Sequence, residues 1–381
     1  MSAELEDDGG FETLAQAADW YRSWLTTHAL ELWSSAAIDP ITGAFREGLL
    51  TSGAAYDPFR RARVQARQVY VFASAACDGF FPEGERTASR AWAAFRATYQ
   101  TSSGLFISAR DVGGSPTDPT PRLYEHAFVL LAMSAMKRVN PQGAWTSAAT
   151  DLWRAMQGFR HSAGGFREAG AEPFQANAQM HLFEAALAWE GLTDEACWPA
   201  LSDEIASLAL RRFIEPASGA LWEFYDAEWT PRRGETGLIE PGHLFEWSWL
   251  LQRWGAARSR PDALLAARRL FAAGSEGYDL TRRVAVNALW EDLTIRDRGA
   301  RLWAQTEHLR AALALDEPAR ALDVAGGLAR FLRTAKPGTW HERMSSDGRF
   351  LDAPSPATSL YHLYGAIRDL WAASRTAGDP C

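Results

Sequence analysis

Two histidines in this sequence open the same four-residue word, His181-Leu-Phe-Glu184 and His243-Leu-Phe-Glu246. In a helix, positions i and i+3 share a face, so each imidazole can meet its own carboxylate. That pairing permits two chemistries. Two imidazoles and two carboxylates could ligate a divalent metal. Alternatively, each glutamate could orient a neutral imidazole for proton transfer or bind a substrate hydroxyl. Asn177 stands one turn before His181 and shares its face, in a helix interior where asparagine is intrinsically unfavourable. Arg67 falls in an apolar run with Val64, Ala66, Val69 and Tyr70. A guanidinium buried there needs a partner, either a salt bridge to Glu184 or Glu307 or a substrate oxygen.

Tryptophan is abundant, with 17 residues in the chain, and Trp247, Trp249 and Trp303 are the ones expected to wall a pocket. Flat aromatic faces suit the C–H faces of sugars, while Asn, Arg, Glu and His serve sugar hydroxyls. The sequence contains no Walker A loop, no G-x-G-x-x-G after a strand and no G-x-S-x-G elbow. An unphosphorylated carbohydrate is therefore the expected ligand, and neither nucleotide use nor serine hydrolysis has support.

The elements that must position these groups are helices. Apolar residues recur at three- and four-residue spacing, as in Leu182, Ala185, Ala186 and Trp189. About twelve helices are predicted, near 11–35, 62–77, 85–101, 122–138, 144–160, 175–190, 195–213, 242–257, 261–274, 299–315, 317–334 and 357–374. Strand-like alternation is confined mainly to Trp222–Trp229. A glycine-plus-aromatic turn recurs at Gly43, Gly104, Gly165, Gly219, Gly277 and Gly338, spaced 61, 61, 54, 58 and 61 residues apart. Each period holds two helices, so the chain reads as six helical hairpins. One helix per period carries polar or aromatic residues near its start: Arg67, Tyr124, Asn177 with His181, His243 with Glu246, Trp303 with Glu307, and His362. Five of these helices follow prolines, which fit a first helical turn. The pattern predicts an all-α, closed (α/α)6 barrel with short hairpin-like loops at one rim, where six helix ends converge on a pocket. A single catalytic domain is expected over residues 1–381, with 1–10 disordered.

Composition excludes other classes. The chain has 381 residues, 39 Lys+Arg against 47 Asp+Glu, a net charge of −8 and a pI near 5.6, which disfavours nucleic-acid binding. Three scattered cysteines form no disulfide framework or zinc motif and suit a reducing, cytoplasmic setting. The acidic first residues do not read as a signal peptide, and no apolar stretch is long enough for a membrane span.

Six collinear stretches resemble the N-acylglucosamine 2-epimerase superfamily: Arg63-Val-Gln-Ala-Arg67-Gln68-Val-Tyr70, Leu123-Tyr124-Glu-His126-Ala-Phe128, Asn177-Ala-Gln-Met-His181-Leu-Phe-Glu184, Pro241-Gly242-His243-Leu-Phe-Glu246-Trp247, Leu302-Trp303-Ala-Gln305-Thr306-Glu307 and Ser359-Leu-Tyr361-His362-Leu363. The last two look most like the D-mannose isomerase branch, although Ala304 stands where many of that branch have proline. Ala357 replaces a tryptophan of cellobiose epimerases. The resemblance implies cofactor-free and metal-independent chemistry at C1–C2 of a monosaccharide. It implies His243 and His362 as the acid–base pair, with Arg67, Tyr124, Asn177, His181, Arg233, Glu246 and Trp303 binding substrate. His243, close to a helix N-terminus, is expected to be neutral and to take the C2 proton. His362 is expected to open the ring and move protons between O1 and O2, while Arg67 steadies negative charge on oxygen. The expected activity is mannose-to-fructose isomerisation through a cis-enediol, by a monomer or homodimer. The alternatives are sugar 2-epimerisation, glycoside hydrolysis using Glu184, Glu246 and Glu307, and a noncatalytic binding barrel.

Overall fold

A computed structural model describes residues 10–376; the expectation of disorder at 1–10 falls, but for Gly10, outside them. Among the described residues, twelve helices alternate between an outer and an inner layer. The outer helices are α1 (Leu14–Trp24, continued by a π turn at Leu25–Ala29 and by Leu30–Trp33), α3 (Gly84–Tyr99), α5 (Trp145–Ala155), α7 (Cys197–Leu208), α9 (Pro261–Ser275) and α11 (Pro318–Phe331). The inner helices are α2 (Ala62–Cys77), α4 (Leu123–Val139), α6 (Ala176–Trp189), α8 (Pro241–Ala257), α10 (Leu302–Ala314) and α12 (Ala357–Thr376). Each inner helix packs on the next, and α12 returns to α2, which closes the (α/α)6 ring. α1 lies on α12 and α11 and completes the outer layer.

Burial explains the sorting. Inner helices are enclosed almost all round: in α6, every residue but Asn177 and Ala188 is buried. Outer helices bury one stripe, as α3 does with Ala88, Ala91, Trp92, Phe95 and Tyr99. Pro241 occupies the first turn of α8, whereas the other predicted prolines sit in extended chain just ahead of their helices.

The glycine turns do close the hairpins. Gly43, Gly104, Gly165, Gly219 and Gly338 have φ between 69° and 92°, a region costly for residues with a Cβ. Gly277 does not; there a Cβ would meet the Pro241 ring at 2.7 Å. Behind the turns, the fourth residue of four inner helices clasps turn backbone. Gln65 bonds both N–H and C=O of Phe45, Gln305 does the same to Ala285, Gln179 donates to the Phe166 carbonyl, and His126 Nε2 accepts from Phe106 N–H. The strands are two- or three-residue antiparallel pairs in the loops. One pair, Gly48–Leu49 with Ser355–Pro356, ties the first repeat to the last. The predicted alternation at Trp222–Trp229 forms only isolated bridges, Gln175 to Phe224 and Tyr225 to Pro231, because its apolar rings pack into the core instead. No helix among the described residues is long and apolar enough to cross a membrane.

Candidate active site

The N-terminal ends of the inner helices enclose a cavity of about 400 Å³. It is lined by Arg67, Tyr124, Asn177, His181, His243, Glu246, Trp303 and His362 together. The register explains this convergence. The second and sixth residues of an inner helix lie one turn apart on the face toward the ring axis. Those positions are Arg63 and Arg67 in α2, Asn177 and His181 in α6, Trp303 and Glu307 in α10, and Thr358 and His362 in α12. In α8 the second residue is Gly242, where a Cβ would lie 2.5 Å from the Trp303 ring. Glycine therefore lets Trp303 press against α8.

Trp303 joins the two candidate proton carriers, with its ring centroid 4.8 Å from that of His243 and 5.7 Å from that of His362. Each imidazole is backed by a buried carboxylate at Nδ1. His362 Nδ1 is 2.8 Å from Glu307 Oε1, and Glu307 is itself held by Trp249 Nε1 at 2.8 Å and Arg310 Nη1 at 3.3 Å. Burial, followed by the charges of Arg67 and Arg310, holds His362 well below the ordinary imidazole range. It stays neutral, with a lone pair for a proton.

His243 differs from expectation. Its Nδ1 lies 2.8 Å from Glu223 Oε1 and 3.8 Å from Glu240 Oε2, and it does not pair with Glu246. Burial opposes the cation, but Glu223 overrides that and raises the His243 pKa above its ordinary value. The helix end does not keep this imidazole neutral, because a carboxylate at contact distance outweighs a partial backbone dipole.

Glu246 turns to His181, whose Nδ1 is 3.6 Å from both Glu246 Oε1 and Glu184 Oε2. Burial pushes His181 down to about 3. Burial and the neighbouring Glu307 and Glu184 hold the Glu246 carboxyl well above the usual range, so it remains a neutral acid. Both Glu246 oxygens, His181 Nδ1 and Asn177 Oδ1 have no hydrogen-bond partner among the described residues. Buried polar groups are rarely left so, and these can meet ligand hydroxyls.

Arg67 forms no salt bridge to Glu184 or Glu307, since Arg310 already serves Glu307. It donates to Tyr124 Oη at 2.7 Å and the Thr358 carbonyl at 3.3 Å, with its guanidinium 4.0 Å from the Phe128 ring centroid. A nearly buried cation is thereby held at the cavity without a carboxylate. Trp249 supports Glu307, whereas Trp247 stacks on Phe183 in the core and is no pocket wall. Arg233 is not brought to the cavity: it is exposed, lies over Trp222 and binds Glu215 at 2.6 Å.

The reading of helices alone misses Arg61, Glu240, Arg301, Glu342, Arg343 and Ser359, which also line the cavity, and Glu223 behind His243. A signal was present for two of them. Four glycine-aromatic words end in glutamate, and each of these side chains reaches the start of an inner helix. Glu47 accepts from Arg61 N–H and Glu168 from Leu123 and Tyr124 N–H, while Glu223 meets His243 and Glu342 accepts from Ser359.

Two overlapping trios, His181/Glu184/Glu246 and Glu246/Glu307/His362, have donor atoms within 4.8 Å of one another and could offer ligands to a metal. Their surroundings do not favour one. Arg310 sits on Glu307, Tyr361 Oη donates to Glu184, and the charge of Arg67 acts on both histidines, so a dication would face two buried guanidinium groups.

Comparison with known proteins agrees with this architecture. The profile of the N-acylglucosamine 2-epimerase (GlcNAc 2-epimerase) family matches residues 43–366. A Rhizobium meliloti (strain 1021) protein named mannose-6-phosphate isomerase is 40% identical over 366 residues, covering 91% of this chain and 95% of its own. The D-mannose isomerase of Thermobifida fusca is 26% identical over 307 residues, covering 69% and 72%. A crystal structure of D-mannose isomerase superposes with a TM-score of 0.84 at 20% identity, over 97% of this chain and 100% of that one.

Proposed function

The chain belongs to the N-acylglucosamine 2-epimerase family, and from that premise we propose that its cavity converts an aldose of mannose configuration into the corresponding ketose, D-fructose in the case of D-mannose. Mannose is common to the names of the relatives described above. The observation that carries the reading is the pair of carboxylate-backed imidazoles, His243 and His362, sharing Trp303 in one polar cavity.

The opposed electrostatics of the two histidines support a division of labour that reverses the sequence expectation. His243, which holds a proton above the ordinary range, protonates the ring oxygen during ring opening. It recovers a proton from O1–H as the C1–O5 bond breaks, returns it to O1 of the enediolate and then takes the O2 proton. His362, neutral and oriented by Glu307, takes the C2 proton; the C–H electron pair forms the C1–C2 double bond and the carbonyl pair moves to O1. The proton on His362 exchanges with solvent, and protonation of C1 from His362 while the O2 proton leaves gives the ketose. Arg67, with no carboxylate to neutralise it, stabilises the enediolate oxygen. Asn177, His181, Tyr124 and the neutral Glu246 fix the remaining hydroxyls.

A second reading, C2 epimerisation, is favoured by the presence of a second imidazole, the protonated His243, since it needs only reprotonation of C2 from the opposite face. Glycoside hydrolysis fits less well. The relevant oxygens of Glu184 and Glu246, and of Glu246 and Glu307, lie within 4.8 Å, closer than the roughly 5–9.5 Å that hydrolytic carboxylate pairs use.

Incubation with D-mannose, N-acetylmannosamine and cellobiose, followed by NMR, separates ketose formation, C2 inversion and bond cleavage. Ketose from mannose is expected, with His362→Ala and His243→Ala each slower by roughly 10²–10⁴-fold. Near-normal turnover by either variant defeats the assignment.

A further inference from the structure

The mouth of the same cavity carries more fixed positive charge than a neutral sugar requires. Arg61, Arg63, Arg301 and Arg343 line it above the buried histidines. Three of them are anchored on one edge only. Arg61 uses Nε and Nη2 on Glu47, Arg63 uses the same two atoms on Glu125, and Arg301 places Nη2 on Glu240 and Nε on Asn287. No hydrogen bond from Nη1 of these three is present among the described residues. Carboxylates thus hold each guanidinium in place while one N–H edge stays free, the arrangement that suits a planar fork to an oxyanion.

Arg343 adds the decisive detail. It is exposed, and its side chain makes no hydrogen bond or ion pair among the described residues. Its direct antiparallel partner is Arg301. Two like charges opposite each other on one face of a strand pair repel, a cost without return unless an anion lies between them. The nearby carboxylates are already committed. Glu240 is bound by Arg301, and Glu342 accepts from Ser359 while burial pushes its carboxyl up to about 7.

We propose that Arg301 and Arg343, with Arg61 and Arg63, form an anion subsite that takes a phosphate monoester at the end of the sugar remote from C1–C2. This rests on the isomerase reading and deepens it: the substrate is a phosphorylated aldose. The expectation of an unphosphorylated sugar came from the missing glycine-rich loop, but guanidinium forks bind phosphate without one.

The test measures D-mannose 6-phosphate and D-mannose as substrates of wild type, Arg343→Glu, Arg343→Lys and Arg301→Ala. Binding of D-mannose 6-phosphate and of inorganic phosphate is measured in parallel by calorimetry. Wild type should prefer the phosphorylated sugar. The preference should fall roughly tenfold or more in Arg343→Glu and Arg301→Ala and recover in part in Arg343→Lys. D-Mannose 6-phosphate should bind wild type more tightly than Arg343→Glu even if neither sugar is isomerised, a result that would keep the subsite and discard the isomerase reading. Isomerisation of mannose with no preference for its phosphate ester would overturn the subsite alone. So would binding of inorganic phosphate without binding of the ester, or a preference indifferent to Arg343.

Discussion

His243 and His362 are both buried and both face a carboxylate, yet they are held on opposite sides of the ordinary imidazole range. Proximity of charge decides the difference. Glu223 meets His243 at 2.8 Å and outweighs the opposing charge of Arg301, whereas Glu307 divides its charge between His362 and Arg310 in direct contact with both. If His243 must carry a proton to act, kcat/KM falls on the alkaline side as His243 loses it. Glu223→Gln removes the stabilising charge, so the alkaline limb should move to lower pH by about one unit or more. A pH–rate profile reads this directly, and an unmoved limb would separate Glu223 from the chemistry. Gly242 offers a steric counterpart. Gly242→Ala puts a methyl 2.5 Å from the Trp303 ring, so the indole must shift between the two histidines. Loss of kcat/KM by about tenfold or more, with little change in thermal stability, is expected. The histidines and Arg67 were legible in the sequence because they recur near the starts of periodic helices. Arg301 and Arg343 were not, because they sit in connections whose length varies and whose fold no periodicity predicts, and Glu223 showed only as the glutamate that ends a recurring glycine turn.

At the scale of the element, the fourth residue of an inner helix acts as a clasp on the preceding turn. Gln65, Gln179 and Gln305 perform it without a titrating group, and His126 performs it with one. Burial lowers His126 to about 4. A depressed histidine pKa means that the unfolded chain binds the proton first as pH falls. Its contribution is therefore full above pH 6.5 and is lost progressively between about 6.5 and 4. His126→Gln should keep the clasp and remove the titration, leaving stability unchanged at pH 8 and raising it by about 1–3 kcal/mol at pH 4.5. Denaturant unfolding at both pH values tests the sign. Gln305→Leu, by contrast, strands the Ala285 N–H and C=O and should cost about 1–3 kcal/mol at any pH. The helices themselves were readable to within a few residues. The clasps were not, since one glutamine in a helix has no distinctive spacing until the glycine turn beside it is placed.

At the scale of the molecule, the ring exists so that six helix starts meet at one point. The 54–61-residue glycine period implied six hairpins, the polar residues at one helix start in each implied closure, and the return of α12 to α2 closes the ring. What the period could not show is the balance of charge within the ring, where the buried Arg310 and Arg67 accompany the carboxylates around His181 and His362. That balance predicts retained activity after dialysis against EDTA and no gain from added Mg²⁺, Mn²⁺ or Zn²⁺; loss restored by one ion would assign the glutamate–histidine trios to a metal. The most direct measurement is NMR of D-mannose and D-mannose 6-phosphate with the protein in D2O, beside its His362→Ala variant. Ketose should accumulate with deuterium at C1, and the variant should make almost none. A ketose free of deuterium, no ketose from either sugar, or undiminished turnover by the variant would contradict proton transfer through His362.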